Sequence, residues 1–347
     1  MKSGVKLLIM TIILVAGFAS FATAATHESF QEKKESYFDT FTIYWENDTF
    51  AGTDRDYTNG IKFSWSTPFD LLDSTSLPAW SFPFFKQLPF VGGSEGTHAV
   101  SISLGQDMYT PADAKSVEVV RDDRPYAGYL YVAAGFHTRH AIRKDSWELR
   151  LGVVGPSSLA EKTQNFVHDL IGEERANGWD HQLKDEPAVD LICESQWQSG
   201  SVPLGRRFGV DLIPHLGGRI GTVNTYLNAG AEIRLGWDLP NDFGSCPIRG
   251  GCETNSAFID GSKKKSTFHI FVSADGKAVV HDIFLDGNLF HDSHSVDKKP
   301  LVGELMGGFV WQIESLKWTY SYIYRSKQFE TQAENQTFGS LSMAWSF

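Results

Sequence analysis

The sequence has 347 residues, 42 acidic against 31 basic side chains, and three cysteines. Its formal net charge of −11 becomes −13 when Lys2 and Lys6 leave with the leader peptide predicted below. An acidic exported chain is a poor partner for nucleic acid and needs divalent cations near any anionic substrate.

The chain opens with Lys2 and Lys6, an apolar run from Leu7 to Phe18, and Ala22-Thr23-Ala24. A basic start, a short apolar core and a small-residue exit describe a secretory signal peptide over 1–24. The mature domain is then 25–347. The run is too short to span a bilayer, no cysteine follows the cleavage site, and no later segment offers a transmembrane helix.

Strand patterns follow in series. Phe41, Ile43 and Trp45 alternate with polar residues, as do Ile61, Phe63 and Trp65, and then Val100, Ile102 and Leu104. The same alternation returns at 147–153, 231–237, 305–313 and 316–324. Weaker strands read at 126–139, 187–199, 206–217 and 266–289. The last strand places Leu341, Met343, Trp345 and the terminal Phe347 on one parity. Charges share the parity of Gly and Ser throughout, giving apolar-out and polar-in faces. The fold class expected is all-β: an antiparallel transmembrane barrel of about twelve strands in the outer membrane. Both termini then lie on the periplasmic side, and the connections after strands one, three, five and nine face outward. The stretch 68–96, rich in Pro, Gly and Phe, is long for a periplasmic turn. Cys246 and Cys252 bracket a short loop in a compartment that permits a disulfide, while Cys193 is unpaired on a strand.

One segment breaks the pattern. Ser157 to Gly172 reads as a helix in an extracellular loop, started by a Ser158–Glu161 capping box and stopped by Gly172. Leu159, Phe166, Val167, Leu170 and Ile171 share one stripe, and His168 lies opposite, beside Glu161, Gln164 and Asn165. Alone, His168 reads as a solvated surface residue. After strand five, however, it faces an oxygen-rich rim formed by Glu46-Asn47-Asp48 and Asp56-Tyr57-Thr58-Asn59-Gly60. Alternation turns Asp48, Asp56 and Thr58 inward. Hard oxygen ligands suit Ca²⁺, although the spacing is not that of an EF-hand and a polar turn has the same composition. A second polar cluster, Gln106–Pro111 with Asp122–Gly128, reads as rim and turn structure. No G-x-S-x-G elbow, H-E-x-x-H, P-loop or dinucleotide fingerprint occurs. His168 is therefore the candidate general base, with Glu174 near enough to fold back and orient it.

Taken together, these motifs and Gly155-Pro156, Gln164-Asn165-x-x-His168 and Ile171-Gly172 resemble the lipid A 3-O-deacylase (LpxR) family. The similarity runs over essentially the whole mature chain, in the same order. It implies a twelve-stranded outer-membrane barrel that hydrolyses the 3-linked acyl ester of lipid A and requires Ca²⁺. It implies His168 as the water-activating histidine and Asn47 and Asp48 as the Asn-Asp pair at the metal. Thr58 takes the Thr/Ser position, Glu174 the glutamate after the helix, and Lys115 the active-site lysine, across a loop of different length. Lipid A within lipopolysaccharide is the expected substrate, outer-membrane lipid the surroundings, and a monomer the expected state. The competing readings are an outer-membrane phospholipase at the same site and a non-enzymatic barrel serving as pore or adhesion scaffold.

Overall fold

The computed structural model describes residues 37–48, 56–91, 96–172, 174–198, 200–256 and 266–347, with the side chains of 56–58 and 171 left aside. The predicted signal peptide and the 49–55 loop lie outside the described residues.

Twelve antiparallel strands close into a barrel. They are β1 Thr40–Asn47, β2 Asp56–Ser66, β3 Thr97–Thr110, β4 Ala127–Arg139, β5 Arg143–Val154 and β6 Glu186–Trp197. Then come β7 Phe208–Gly221, β8 Asn224–Trp237, β9 Thr267–Asp282, β10 Leu301–Ile313, β11 Leu316–Arg325 and β12 Gln336–Ser346. A two-residue strand, Val202–Pro203, pairs with the start of β7. Neighbours in sequence are neighbours in the sheet, with β1 closing on β12 at Thr40↔Ser346 and β6 pairing β7 at Asp190↔Gly221. Closure removes every free strand edge, which a bilayer would otherwise leave unsatisfied.

Alternation decides which face each side chain takes. In β1, Thr40, Thr42, Tyr44 and Glu46 are buried in the lumen while Phe41, Ile43 and Trp45 point outward. In β9, Phe268, Ile270 and Val272 are 44–64% exposed on the outer wall, while His269, Phe271, Ser273 and Asp275 are buried. The outer wall is thus an apolar band and the lumen is polar, the arrangement of a membrane barrel. The weaker predicted strands are all present. The reading of 266–289 as one strand is corrected: the strand stops at Asp282, whose carboxylate caps a short helix, α3 Ile283–Asp286.

Both mouths of the lumen are filled. At the end that carries the termini, residues 238–256 turn back inside. Lys62 Nζ donates to Glu253 at 2.8 Å, Glu46 accepts from the Ile248 amide at 2.7 Å, and Glu148 accepts from the Gly251 amide at 3.0 Å. Cys246 and Cys252 are bridged within this plug, and Cys193 on β6 is free. At the opposite end, α3 drops into the mouth. Phe284 stacks 4.0 Å from Tyr109, and Arg124 lies over Tyr109 and Phe329. A cavity of about 130 Å³ remains between, lined among others by Glu46, Asp107, Arg150, Arg219, Lys277 and Arg325. The lumen is a packed interior, not an open channel.

Within the long connection after β2, residues 67–91 have a clear place: they fold over the outside of the wall at the end where β1 starts and β12 ends. Leu77, Phe85 and Val91 pack with Val100 and Phe136, which point outward from β3 and β4. Thr138 Oγ1 donates to the Val91 carbonyl at 2.8 Å, and Trp147 Nε1 to the Pro89 carbonyl at 2.9 Å. Its middle turns through a short helix, α1 Phe82–Phe85.

Candidate functional site between a helix and the outer wall

The helix predicted at Ser157–Gly172 forms as a single turn, Pro156–Ser158, followed by α2 Ala160–Ile171. The predicted capping box does not form. Leu159, in the left-handed region at φ 61°, is the cap residue, and Ser158 Oγ instead donates to the Gly155 carbonyl at 2.6 Å. Asp185 holds the entry by accepting from the Ser157 amide at 2.7 Å and its hydroxyl at 2.8 Å. Gly155, at φ 111°, is required there because a Cβ would sit 2.6 Å from the Lys184–Asp185 backbone. A leucine held in a left-handed conformation costs of order 1 kcal/mol, so the surrounding contacts must impose it.

Helix α2 lies against the outside of the barrel, not over its mouth. Gln106 and Met108 share the outward parity of Ile102 and Leu104, and both are buried. Gln106 Nε2 donates to the Ser158 carbonyl at 2.6 Å, and Met108 packs with Ala160, Ala176, Tyr126 and Trp179. A Cβ on Gly128, opposite Met108, would come within 2.1 Å of Ser158 Oγ and 2.3 Å of Ala160 Cβ. The close seat of the helix therefore depends on that glycine. Trp179 Nε1 donates to Gln164 at 2.7 Å, tying the returning chain to the same helix face. Tyr126 OH donates to the Ala114 carbonyl at 2.9 Å, and burial pushes its phenol up to about 12.

The face against the wall carries Ala160 and Gln164. Leu159, Phe166 and Leu170 are 47–67% exposed on the other side. These three residues of the predicted apolar stripe are thus turned away from the protein, while Val167 of the same stripe is half-buried, as is His168.

Gly172 ends α2 in the left-handed conformation, its amide donating to the His168 carbonyl. The chain then reverses, and the Glu174 main-chain carbonyl comes 2.5 Å from His168 Nδ1. A carbonyl only accepts, so Nδ1 carries the proton and Nε2 presents a lone pair in the neutral ring. Sequence reasoning expected the Glu174 carboxylate to orient the imidazole. The main chain performs that task, and the carboxylate instead pairs with Lys115. Lys115 hydrogen-bonds Glu174 and lends it positive charge, holding the carboxyl below the ordinary carboxylate range. Asn177 Nδ2 donates to the Lys115 carbonyl at 3.2 Å, fastening the two loops together. His168, Lys115, Glu174, Gln164, Arg175 and Ala176 thus line one depression of about 220 Å³.

Asn47 is not among the residues that line this depression; strand register places it on the outer wall at the level of Met108. It pairs with Asn59, Asn59 with Met108, and Met108 with Gly128, so all four occupy one level of the wall. At about 4.8 Å per strand, Asn47 lies roughly 10 Å along the wall from Met108, the residue under α2. Trp45 Nε1 donates to Asn59 at 3.0 Å from the row below. Asp48 follows directly and is buried. Strict alternation fails at Thr58, where the β2–β3 register shifts between Tyr57 and Asn59. Such a bulge re-aims the backbone beside a site. The side chains of Asp56 and Thr58 are outside the described residues, so their predicted inward direction has no counterpart here. Among the described residues, no three His, Cys, Asp or Glu side chains form a metal cluster. Asn47 and Asp48 are hard oxygen donors, the chemistry that fits Ca²⁺.

The second polar cluster is structural, as expected. Asp123 accepts from the amides of Ala112 at 2.8 Å and Arg124 at 2.7 Å. Tyr126 belongs to that cluster, but Trp179 does not, and nothing local in the sequence marks either as the seat of the helix.

The sequence model of the family described as outer membrane protein LpxR matches residues 7–347. The chain belongs to the LpxR family. A solved structure of LpxR from Salmonella typhimurium is similar, with a TM-score of 0.70 and 21% identity over 89% of this chain and 100% of that one. The β-domain of the Bordetella autotransporter BrkA is 9% identical over 89% of this chain and 99% of that one, with a TM-score of 0.43. A comparison with curated protein sequences finds no match. Membership of the LpxR family supports an outer-membrane lipid A deacylase.

Proposed function

We propose that this protein is a Ca²⁺-dependent lipid A 3-O-deacylase, working at the outer leaflet with His168 as general base. The observation that carries the reading is the His168 Nδ1–Glu174 carbonyl contact at 2.5 Å, on a helix seated against the outer wall. A depression formed by this helix and the 112–115 and 174–176 loops, outside the barrel, is reached without passage through the filled lumen. The exposed stripe of Leu159, Phe166 and Leu170 supports immersion of the helix among acyl chains. The start of β1 and the end of β12 lie at the other end of the barrel, which supports placing this end at the outer leaflet.

His168 Nε2 takes a proton from water, and the hydroxide attacks the acyl carbonyl. The imidazolium is stabilised by the carbonyl that fixes its other nitrogen. It then returns the proton to the departing sugar oxygen, releasing a 3-hydroxyl and a fatty acid. General-base catalysis of this kind is worth about 10²–10⁴-fold in rate. Lys115, held by Glu174, places a cation beside the histidine. Asn47 and Asp48 would hold the Ca²⁺, which when bound supplies Lewis-acid stabilisation of the ester oxyanion.

The test is mass spectrometry of lipid A incubated with the purified barrel. Loss of one 3-linked acyl chain is expected, abolished by His168→Ala and by chelator. Full activity in either case would sink the mechanism. Hydrolysis of glycerophospholipid alone, in a parallel assay, would replace the deacylase with a phospholipase at the same site.

A further inference from the structure

We propose that the 67–91 segment is a second membrane anchor, lying in the phospholipid interface at the end of the barrel where β1 starts and β12 ends. Its occupant would be the headgroup and upper acyl region of that leaflet. The proposal needs the membrane barrel but not the activity.

On β3 the outward residues His98 and Val100 are buried beneath this segment, and Gln106 and Met108 beneath helix α2. Between them only Ile102 and Leu104 are exposed, at 37% and 42%. Val100 and Gln106 are six residues apart, about 20 Å along a strand at ~3.4 Å per residue. At a tilt of ~40° that is about 15 Å of membrane thickness, against ~25 Å for the apolar band of such barrels. On β9, every even-numbered residue from Phe268 to Val280 is exposed. That run of thirteen residues, twelve steps along the strand, covers roughly 31 Å of thickness on the same arithmetic. The wall at β3 is therefore about 10 Å short unless its two coverings supply apolar surface of their own.

The lower covering does supply it. It buries Leu77, Phe85 and Val91 inward and leaves Trp80, Phe84 and Phe90 exposed at 47%, 54% and 66%. These three continue the lipid-facing surface at the level of a tryptophan girdle. Trp65, Trp197, Trp237 and Trp345 stand near the same ends of their strands, and Trp147 donates to Pro89 within the segment. Trp80 meets Phe136 edge-on at 6.3 Å, on the wall itself. Aromatic residues at that depth mark the membrane–water boundary.

Phe84→Cys, and separately Phe90→Cys, each in a Cys193→Ala background with the disulfide intact, would carry a nitroxide label. The labelled barrels would be placed in phosphatidylethanolamine–phosphatidylglycerol vesicles. Collision with oxygen should exceed collision with a water-soluble nickel chelate, as for a label at Val132 on the bare wall. A nickel-dominated ratio at both sites, matching an aqueous control at Arg206→Cys, would overturn the proposal. So would spin–spin broadening that survives high lipid dilution, because a second copy would then cover the face. Heat-modified gel mobility checks that each variant is folded. Depth is read in either leaflet, so failure here leaves the deacylase proposal untouched.

Discussion

His168 Nδ1 lies 2.5 Å from the main-chain carbonyl of Glu174, while the Glu174 side chain turns to Lys115. One residue thereby serves the histidine with its backbone and the lysine with its carboxylate. The two roles are separable, because substitution removes only the second.

Glu174→Ala keeps the carbonyl and so keeps the tautomer of His168. Its deacylation rate should fall by no more than about tenfold, the scale of a lost exposed ion pair. His168→Ala should lose about 10²–10⁴-fold. Lys115→Ala should match Glu174→Ala, and the double variant should be no worse than either. Release of acyl chains, timed by mass spectrometry, decides. If Glu174→Ala falls as far as His168→Ala, the carboxylate orients the ring after all.

The same pair has a pH signature. Glu174 titrates below its ordinary 4.5 because Lys115 hydrogen-bonds it and adds positive charge. A depressed folded pKa means that the contribution is complete above 4.5 and is lost as pH falls through the folded value. Limited proteolysis of the 172–178 turn should therefore accelerate on acidification below that point. Lys115→Met should be cleaved faster already at neutral pH and show no such step. Identical acid profiles for the two proteins would remove the pair from the account.

Gly128→Val tests the seat of the helix. The added side chain meets Ser158 and Ala160 at distances no real Cβ adopts, so α2 must lift from the wall. Overpacking of this kind costs about 1–3 kcal/mol. The barrel, whose strands pair without the helix, should keep its heat-modifiable mobility while deacylation drops more than about tenfold. Retained activity would show that the close seat is dispensable.

Lys62 and Glu253 form a fully buried pair between β2 and the plug, at 2.8 Å. Lys62→Met leaves the carboxylate buried without that partner and should cost about 3–5 kcal/mol. Lys62→Met with Glu253→Gln should recover most of the loss, since the stranded charge is gone. Urea unfolding in detergent measures both. Equal destabilisation of single and double variants would mean that the plug is not held through this charge.

Several features of the protein were legible in the sequence because they repeat or stand out locally. Period-two alternation of Phe41, Ile43 and Trp45, renewed strand after strand, determined the barrel and its two faces. The break in that pattern at 157–172 located the helix and His168. The tertiary structure decided what covers what. Alternation says that Gln106 and Met108 face outward, but not that a helix fifty residues later lies on them. It gives no sign that 238–256 fills the lumen, or that 67–91 wraps the wall. The imidazole's partner was also out of reach, since a main-chain carbonyl carries no residue identity and only the turn at Gly172 delivers it. Strand pattern is a local property of the chain; coverage of one face by a distant segment depends on closure of the whole barrel.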